Sequence, residues 1–129
     1  MSDPRQLSKR ERQIMDAIYA AGEATVSQVA SGIPDPPMHG ALRTLLRILE
    51  QKGHLTHRKQ GREFIYRPTK PRGQAGRSAL GRVLDVFFGG SLENAVAAHL
   101  SDPRRAAKIT SEELRRLSDL IEEAKKRGD

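Results

Sequence analysis

The chain has 129 residues, with 23 basic against 16 acidic side chains and no cysteine. Its length suits one domain, or a small domain with an appended oligomerisation segment, and the lack of thiols excludes disulfides and cysteine-ligated metal sites. No apolar run approaches the roughly 18 residues of a membrane span, and the polar start at residues 1 to 13 has no signal-peptide core. We therefore expect a cytoplasmic protein.

The N-terminal quarter of the chain predicts two helices. Ser8 followed three residues later by Glu11 is a capping box, which predicts a first helix over about residues 8 to 21. Thr25 can cap a short second helix that ends near Gly32. The spacing is that of the first two helices of a three-helix DNA-binding core.

A third helix follows the rigid Pro-rich turn at residues 34 to 37 and ends at Gly53. Its exposed N-terminal half is where a recognition helix presents side chains to a major groove. The buried stripe consists of Leu42, Leu45, Leu46 and Leu49. The candidate DNA-contacting residues of this helix are His39, Ala41, Arg43, Thr44 and Arg47.

A hairpin comes next, with strands predicted at residues 55 to 58 and 63 to 67 and a turn at residues 59 to 62. Phe64 and Tyr66 share one face by the period of two, so we expect both to pack on helices one and three. The basic residues at the tip or flank of this wing, placed to contact DNA backbone or minor groove, are Arg58, Lys59 and Arg62.

The basic charge is concentrated on the third helix and the hairpin. Residues 38 to 67 carry seven basic and two acidic side chains, and thus five of the seven net positive charges of the chain. Such a face suits DNA because neutralised phosphates release their counterions. Lys9 and Arg10 are further candidates for phosphate contact. The alternatives are charges that only solvate a surface, or a winged-helix module used as a protein-protein adaptor.

Two arginines of the third helix have different expected roles. Arg43 can read guanine through two hydrogen bonds, and its alternative is phosphate anchoring. Arg47 lies one turn later, which favours phosphate contact. Its structural alternative is pairing within the helix with Glu50 or Gln51.

No motif for catalysis or metal binding is present. The sequence has no Gly-rich phosphate loop, no HExxH and no Ser or Cys nucleophile motif. His54 and His57 would point to opposite faces of a strand, so a paired metal site is not expected. We expect neither an enzyme nor a bound metal or cofactor.

The Pro/Gly-rich segment from residue 68 to 78 predicts a hinge whose end is already helical. It separates a winged-helix domain, residues 1–69, from a helical region, residues 70–129. In the second region Gly89 and Gly90 close one helix and Ser91 caps the next.

A basic loop at residues 104 to 108 then leads to a last helix, which starts with the capping box of Thr110 and Glu113. We expect these three amphipathic helices to form a dimerisation unit, because they have no long core of their own. The alternative is that they fold back on the first domain as one monomeric core. The predicted dimerisation residues are Leu80, Leu84, Phe87, Phe88, Leu92, Val96, Leu100, Leu114, Leu117 and Ile121.

The predicted fold is mainly α (α+β), with an N-terminal winged helix-turn-helix and a C-terminal helical dimerisation unit. Four motifs support it: L-S-x-x-E-x-x-I-M-x-x-I-Y at residues 7 to 19, T-L-L-x-x-L-x-x-K-G-x-L at 44 to 55, G-R-x-x-x-Y-R-P at 61 to 68, and F-F-G-G-S at 87 to 91. In these motifs the chain resembles the penicillinase repressor (BlaI/MecI) family of bacterial transcriptional regulators, over roughly residues 7 to 124.

The resemblance implies a homodimeric repressor on a palindromic promoter operator, often controlled by a membrane metalloprotease sensor that leads to repressor cleavage. This chain departs from the family in three places. Residues 96 to 100 read V-A-A-H-L where well-known members have a cleavable Asn-Phe dipeptide. The recognition helix begins with His39, Gly40 and Ala41, where the family commonly has an aromatic residue followed by two hydroxyl residues. The chain also lacks the C-terminal cysteine cluster of the copper-responsive branch of the family. Proteolysis at another site, a small ligand and autorepression stay open as modes of regulation.

Overall fold

The structure is a computed structural model that describes residues 6 to 128, so the polar start lies partly outside it. The chain forms two compact units, divided between Ser78 and Ala79. Within the described range, no helix has both the length and the apolar character needed to cross a membrane. The elements in chain order are α1 (Lys9–Ala21), α2 (Val26–Gly32), α3 (His39–Gln51), β1 (Leu55–Gln60), β2 (Glu63–Pro68), α4 (Arg72–Phe87), α5 (Leu92–Ser101), α6 (Pro103–Ala106) and α7 (Ser111–Gly128).

The first two helices begin where the sequence predicts. Ser8 Oγ accepts a hydrogen bond from the Glu11 N–H at 3.2 Å, and Glu11 Oε1 accepts one from the Ser8 N–H at 2.8 Å. At α2 the same reciprocal pair joins Thr25 to Gln28. Each box satisfies two N–H groups that the first helical turn leaves without partners.

The core of the first unit combines one face of each helix with the base of the hairpin. The predicted stripe of α3 is confirmed, with Leu45 half-buried beside it. Burying a side chain of this size contributes about 1.5 to 3 kcal/mol, so the stripe determines how α3 is oriented. The fully buried side chains are Ile14, Ile18, Val29, Leu42, Leu46, Leu49 and Leu55.

The hairpin strands are longer than predicted. β1 and β2 pair antiparallel from Leu55 opposite Pro68 to Gln60 opposite Glu63. The prediction of a turn over residues 59 to 62 is therefore wrong, because only Gly61 and Arg62 lie outside the strands. Gly61 has a φ of 64°, the left-handed conformation that two-residue hairpin turns require.

The position of Phe64 also differs from the prediction. Tyr66 is buried at 6% exposure, but Phe64 is 43% exposed, so the prediction that both pack on helices one and three is wrong for Phe64. Phe64 is the second residue after the turn and lies nearer to the tip of the hairpin than Tyr66, so the core does not cover it. Its ring contacts His57, with a centroid distance of 4.5 Å.

A one-residue bridge joins the hairpin to the connection between α1 and α2. The Ala24 N–H donates to the Tyr66 carbonyl, and the Tyr66 N–H donates to the Ala24 carbonyl, both at 2.9 Å. Ala24 is itself buried. The bridge therefore gives β2 a partner on each edge at Tyr66.

Two predictions for the C-terminal half are wrong. The hinge expected over residues 68 to 78 is much shorter, because α4 begins at Arg72 directly after Pro71. A proline at a helix start removes no helical hydrogen bond. The loop expected at residues 104 to 108 contains α6, where the Arg104 N–H donates to the carboxylate of Asp102.

The second unit has no buried side chain between residues 79 and 128. The caps predicted for α5 and α7 are present: Ser91 Oγ accepts from the Asn94 N–H and Thr110 Oγ1 from the Glu113 N–H, both at 3.0 Å. Leu84, Phe88 and Val96 are half-buried. The predicted dimerisation residues that are exposed are Leu80, Phe87, Leu92, Leu100, Leu114, Leu117 and Ile121.

An ion pair joins the C-terminal end of α3 to the N-terminal end of α1. Lys52 Nζ lies 3.1 and 3.0 Å from the two carboxylate oxygens of Glu11, which is the one buried charged residue in the described part of the chain. Burial alone raises the pKa of Glu11. The hydrogen bonds from Ser8 and Lys52 outweigh it and leave the pKa below its ordinary value of 4.5.

Replacing Lys52 by methionine should lower the free energy of unfolding at pH 7 by about 1 to 3 kcal/mol, because a buried carboxylate loses its charged donor. The pKa of Glu11 is lower in the folded chain, so its contribution is present above about pH 4.5 and is lost as pH falls through the folded-state pKa. Urea unfolding between about pH 3 and 7 measures the penalty, with Lys59→Met as the exposed control. An equal penalty at about pH 3 would contradict the assignment.

Candidate nucleic-acid interface

The outer face of α3 carries the residues that the sequence assigns to DNA. His39, Ala41, Arg43, Thr44 and Arg47 are all exposed, because the buried leucines occupy the opposite face. The Thr44 hydroxyl donates to the Gly40 carbonyl at 3.2 Å. Its proton is therefore used within the helix, and its oxygen is left as an acceptor.

Two shallow grooves lie between α3 and the wing. One, of about 200 Å³, brings His39 and Arg43 together with Arg62 of the hairpin turn. The other, of about 350 Å³, has Arg43, Thr44 and Arg47 on one side and Phe64 on the other. Since Arg43 lines both, the two grooves form adjoining parts of one cationic surface.

The two faces of the hairpin have different surroundings. The rings of His57, Phe64 and Tyr66 contact one another on the face that meets α3. Lys59 is the cross-strand partner of Phe64, so the alternation of side chains along β1 puts it on this face too. Arg58 lies on the opposite face.

An acidic residue of α3 contacts the wing within the second groove. Glu50 Oε1 lies 2.5 Å from His57 Nδ1. Glu50 therefore pairs with the hairpin. It does not pair with Arg47, which was the structural alternative given for Arg47 in the sequence analysis. Arg47 has no ion pair with any described residue. Its side chain is exposed and lines this groove.

Two of the predicted contact residues have partners inside the protein. Arg10 donates to the carbonyls of Pro34 and Asp35 at 3.0 and 3.1 Å, which ties α1 to the turn that leads into α3. Arg58 forms a two-pronged ion pair with Glu23. Both guanidinium groups therefore have a structural task in the protein without DNA.

The remaining predicted cations are exposed. Lys9 at the start of α1, Lys59 on β1 and Arg62 in the turn make no ion pair within residues 6 to 128. No cluster of three metal-ligating side chains occurs in that range. This surface is therefore positively charged and exposed, as binding to an anionic macromolecule requires.

Gly40 lies in the first turn of α3 with open space around it. A Cβ atom added there would meet no atom within 4 Å. Gly40 and Ala41 add no side-chain hydrogen-bond donor to the first turn of α3, next to the imidazole of His39. Ala41 can still contact a thymine methyl group.

The sequence profile of the penicillinase repressor family matches residues 7–123. The chain belongs to the penicillinase repressor family. It is 26% identical over 124 residues to the penicillinase repressor of Bacillus licheniformis, an alignment that covers 95% of this chain and 94% of that protein. It is also similar to the solution structure of the DNA-binding domain of the repressor BlaI, with 27% identity and a TM-score of 0.47, over 55% of this chain and 89% of that one. The resemblance seen in the sequence motifs is confirmed, and the family is one of repressors.

Sequence reasoning missed three residues at the surface of this member of the penicillinase repressor family. Phe64 lines the second groove, Glu23 holds Arg58, and Glu50 contacts His57. The first could have been found from its place near the turn, on the same face as Tyr66 but farther from the helices. The two carboxylates give no local signal, because their partners are 35 and 7 residues away in the sequence.

Proposed function

We propose that this penicillinase repressor family member is a dimeric transcriptional repressor that binds a palindromic promoter operator through α3 and the wing. The supporting observation is that Arg43, Arg47 and Arg62 line adjoining grooves and have no ion pair with any described residue. Such cations are free to replace the counterions of DNA phosphates. The family match gives this surface its expected ligand.

In this proposal α3 enters the major groove. Arg43 reads a guanine through its O6 and N7 atoms, while His39, Ala41 and Thr44 contact neighbouring base edges. Arg47 lies farther along the same face and contacts phosphate. The remaining phosphate contacts come from Lys59 and Arg62 of the wing and from Lys9 of α1, which have no ion pair with a described residue. Arg58 and Arg10, the other two candidates from the sequence, are held by the partners described above.

The second unit supplies the dimer interface. An open apolar groove of about 510 Å³ is lined by Leu80, Leu92, Val96 and Leu117, among others. A unit with no buried side chain needs a partner surface to bury its apolar stripes, and a second copy of the chain offers the same stripes. Two copies related by a twofold axis read a palindrome, because each α3 meets an identical half-site.

The upstream partner implied by the family resemblance is a membrane metalloprotease sensor. We include that pathway in the proposal without cleavage at residues 96 to 100, which lie in α5 and lack the Asn-Phe dipeptide. A membrane metallopeptidase gene beside the gene for this repressor would support the pathway. Its absence would favour a ligand or autorepression.

A promoter-fragment selection tests the DNA-binding proposal. We expect a preferred palindrome whose affinity falls about 10³- to 10⁵-fold between about 50 and 200 mM salt, as for about 6 to 10 phosphate contacts. Fluorescence anisotropy across that salt range measures it. A protein that preferred no DNA over competitor at any salt concentration would instead be a protein-interaction module.

Substituting single cations should separate base reading from phosphate binding. Arg43→Ala should cost about 1 to 3 kcal/mol on the best operator and relax the preference at one base of each half-site. Lys59→Ala, the matched control, should weaken all sequences alike and lower the salt slope by about 1 per copy. Binding to a panel of single-base operator variants gives both results. Equal weakening by Arg43→Ala on every operator variant would refute base reading.

A charge in the apolar groove of the second unit should separate the dimer. Leu117→Asp should raise the dimer dissociation constant at least roughly tenfold, because it buries an unpaired carboxylate in the interface. Sedimentation equilibrium measures it, and Ser118→Asp on the same helix is the exposed control. If both variants stay dimeric, the interface lies elsewhere.

A further inference from the structure

Arg58 and Glu23 form a two-pronged cross-link between the wing and the connection of α1 to α2. One guanidinium nitrogen of Arg58 lies 2.5 Å from Glu23 Oε2 and the other 3.0 Å from Glu23 Oε1. This two-pronged geometry restricts both side chains more than a single hydrogen bond does. The hydrogen bond from Arg58 holds the pKa of Glu23 below its usual value, and the charge of Arg67 acts in the same direction.

The pair spans the hairpin from one side to the other. Arg58 is in β1 opposite Ile65 of β2. Glu23 directly precedes Ala24, whose backbone is bonded to Tyr66 on the far edge of β2. The ion pair therefore runs from β1 across β2 to the connection between α1 and α2. It joins the same parts of the chain as the Ala24 bridge, but nearer to the wing tip.

Arg58 is also separated from the cationic grooves. His57, its neighbour in β1, contacts Phe64 and Tyr66 on the face that meets α3. The alternation of side chains puts Arg58 on the other face, while Lys59 returns to the groove side. Both prongs of its guanidinium are already occupied by Glu23.

We propose that Glu23 and Arg58 brace the wing, so that Arg58 is a positioning residue and the DNA contacts of the wing come from Lys59 and Arg62. This proposal rests on the DNA binding proposed above. The brace fixes the angle of the hairpin relative to α1 and hence the height of the wing tip above the recognition surface. The competing possibility, that Arg58 leaves Glu23 for a phosphate, has the opposite consequence for a Glu23 variant.

The first test needs no DNA. Glu23→Ala should speed amide hydrogen exchange in residues 55 to 67 by about 2- to 5-fold, the range expected for losing one exposed ion pair. Glu63→Ala is the matched control, since Glu63 is an exposed acid of the same hairpin without an ion pair to any described residue. Unchanged exchange in Glu23→Ala would overturn the brace, whether or not the protein binds DNA.

The second test uses the sign of the change in DNA affinity. If only charge matters, removing a carboxylate from a DNA-binding protein raises its affinity for DNA. We expect the control variant Glu63→Ala to show this increase in affinity. The brace predicts that Glu23→Ala weakens operator binding by about 2- to 5-fold. It also predicts that Arg58→Gln weakens binding similarly with an unchanged salt slope, and that the charge-swapped double variant E23R/R58E recovers affinity.

A direct phosphate contact by Arg58 predicts the opposite set of results. If Glu23→Ala tightens binding, Arg58→Gln lowers the salt slope by about 1 per copy, and the swapped variant stays weak, then Arg58 binds phosphate directly and the proposal fails. If the unmodified protein binds no DNA at any salt concentration, the proposed function fails. In that case amide hydrogen exchange in Glu23→Ala still tests whether the ion pair braces the wing.

Discussion

Burial of Leu42, Leu46 and Leu49 is the constraint on which the recognition surface depends. Rotating α3 about its axis would expose at least one of these side chains, at about 1.5 to 3 kcal/mol each, so the helix has one stable orientation. That orientation leaves Arg43 and Arg47 on the outside. The ion pair of Lys52 with Glu11 then fixes the end of the same helix against α1. The surface that we propose to bind DNA is thus determined by the core beneath it.

The wing depends on two carboxylates from different parts of the chain. Glu50 of α3 contacts His57 on one face of the hairpin, and Glu23 contacts Arg58 on the other. Because His57 and Arg58 are consecutive in β1, the two contacts restrain the strand from opposite sides. Two acidic residues that would repel a phosphate backbone, Glu23 and Glu50, are thus paired within the protein, whereas Lys59 and Arg62 near the tip have no ion pair with a described residue.

Features that depend on neighbouring residues could be predicted from the sequence, and those that depend on distant partners could not. The capping residues and the leucine stripe of α3 come from local spacing, so the helices of the first unit were predicted nearly to their ends. The period of two correctly puts Phe64 on the same face of the hairpin as Tyr66, but it does not say how far along that face the core extends. The carbonyls that tie Arg10 to the turn before α3, and the carboxylate that holds Arg58, lie 24 or more residues away in the sequence, and no local pattern indicates them. The predicted hinge is too long because its Pro/Gly-rich composition is also compatible with an exposed helix. Pro71 lies just before α4, and Gly73 and Gly76 are tolerated within it.

Gly40 is a position at which the exposed face of α3 can accept a larger residue. A glycine in a helix costs up to about 1 kcal/mol relative to alanine, and the space around its Cα is empty. Serine or threonine at this position would add a hydroxyl group to the exposed face of α3, at a site where the Cβ atom meets no neighbour. A single codon change at Gly40 would therefore alter the chemistry of this face without disturbing the core beneath it, so related chains can diverge here without first losing stability.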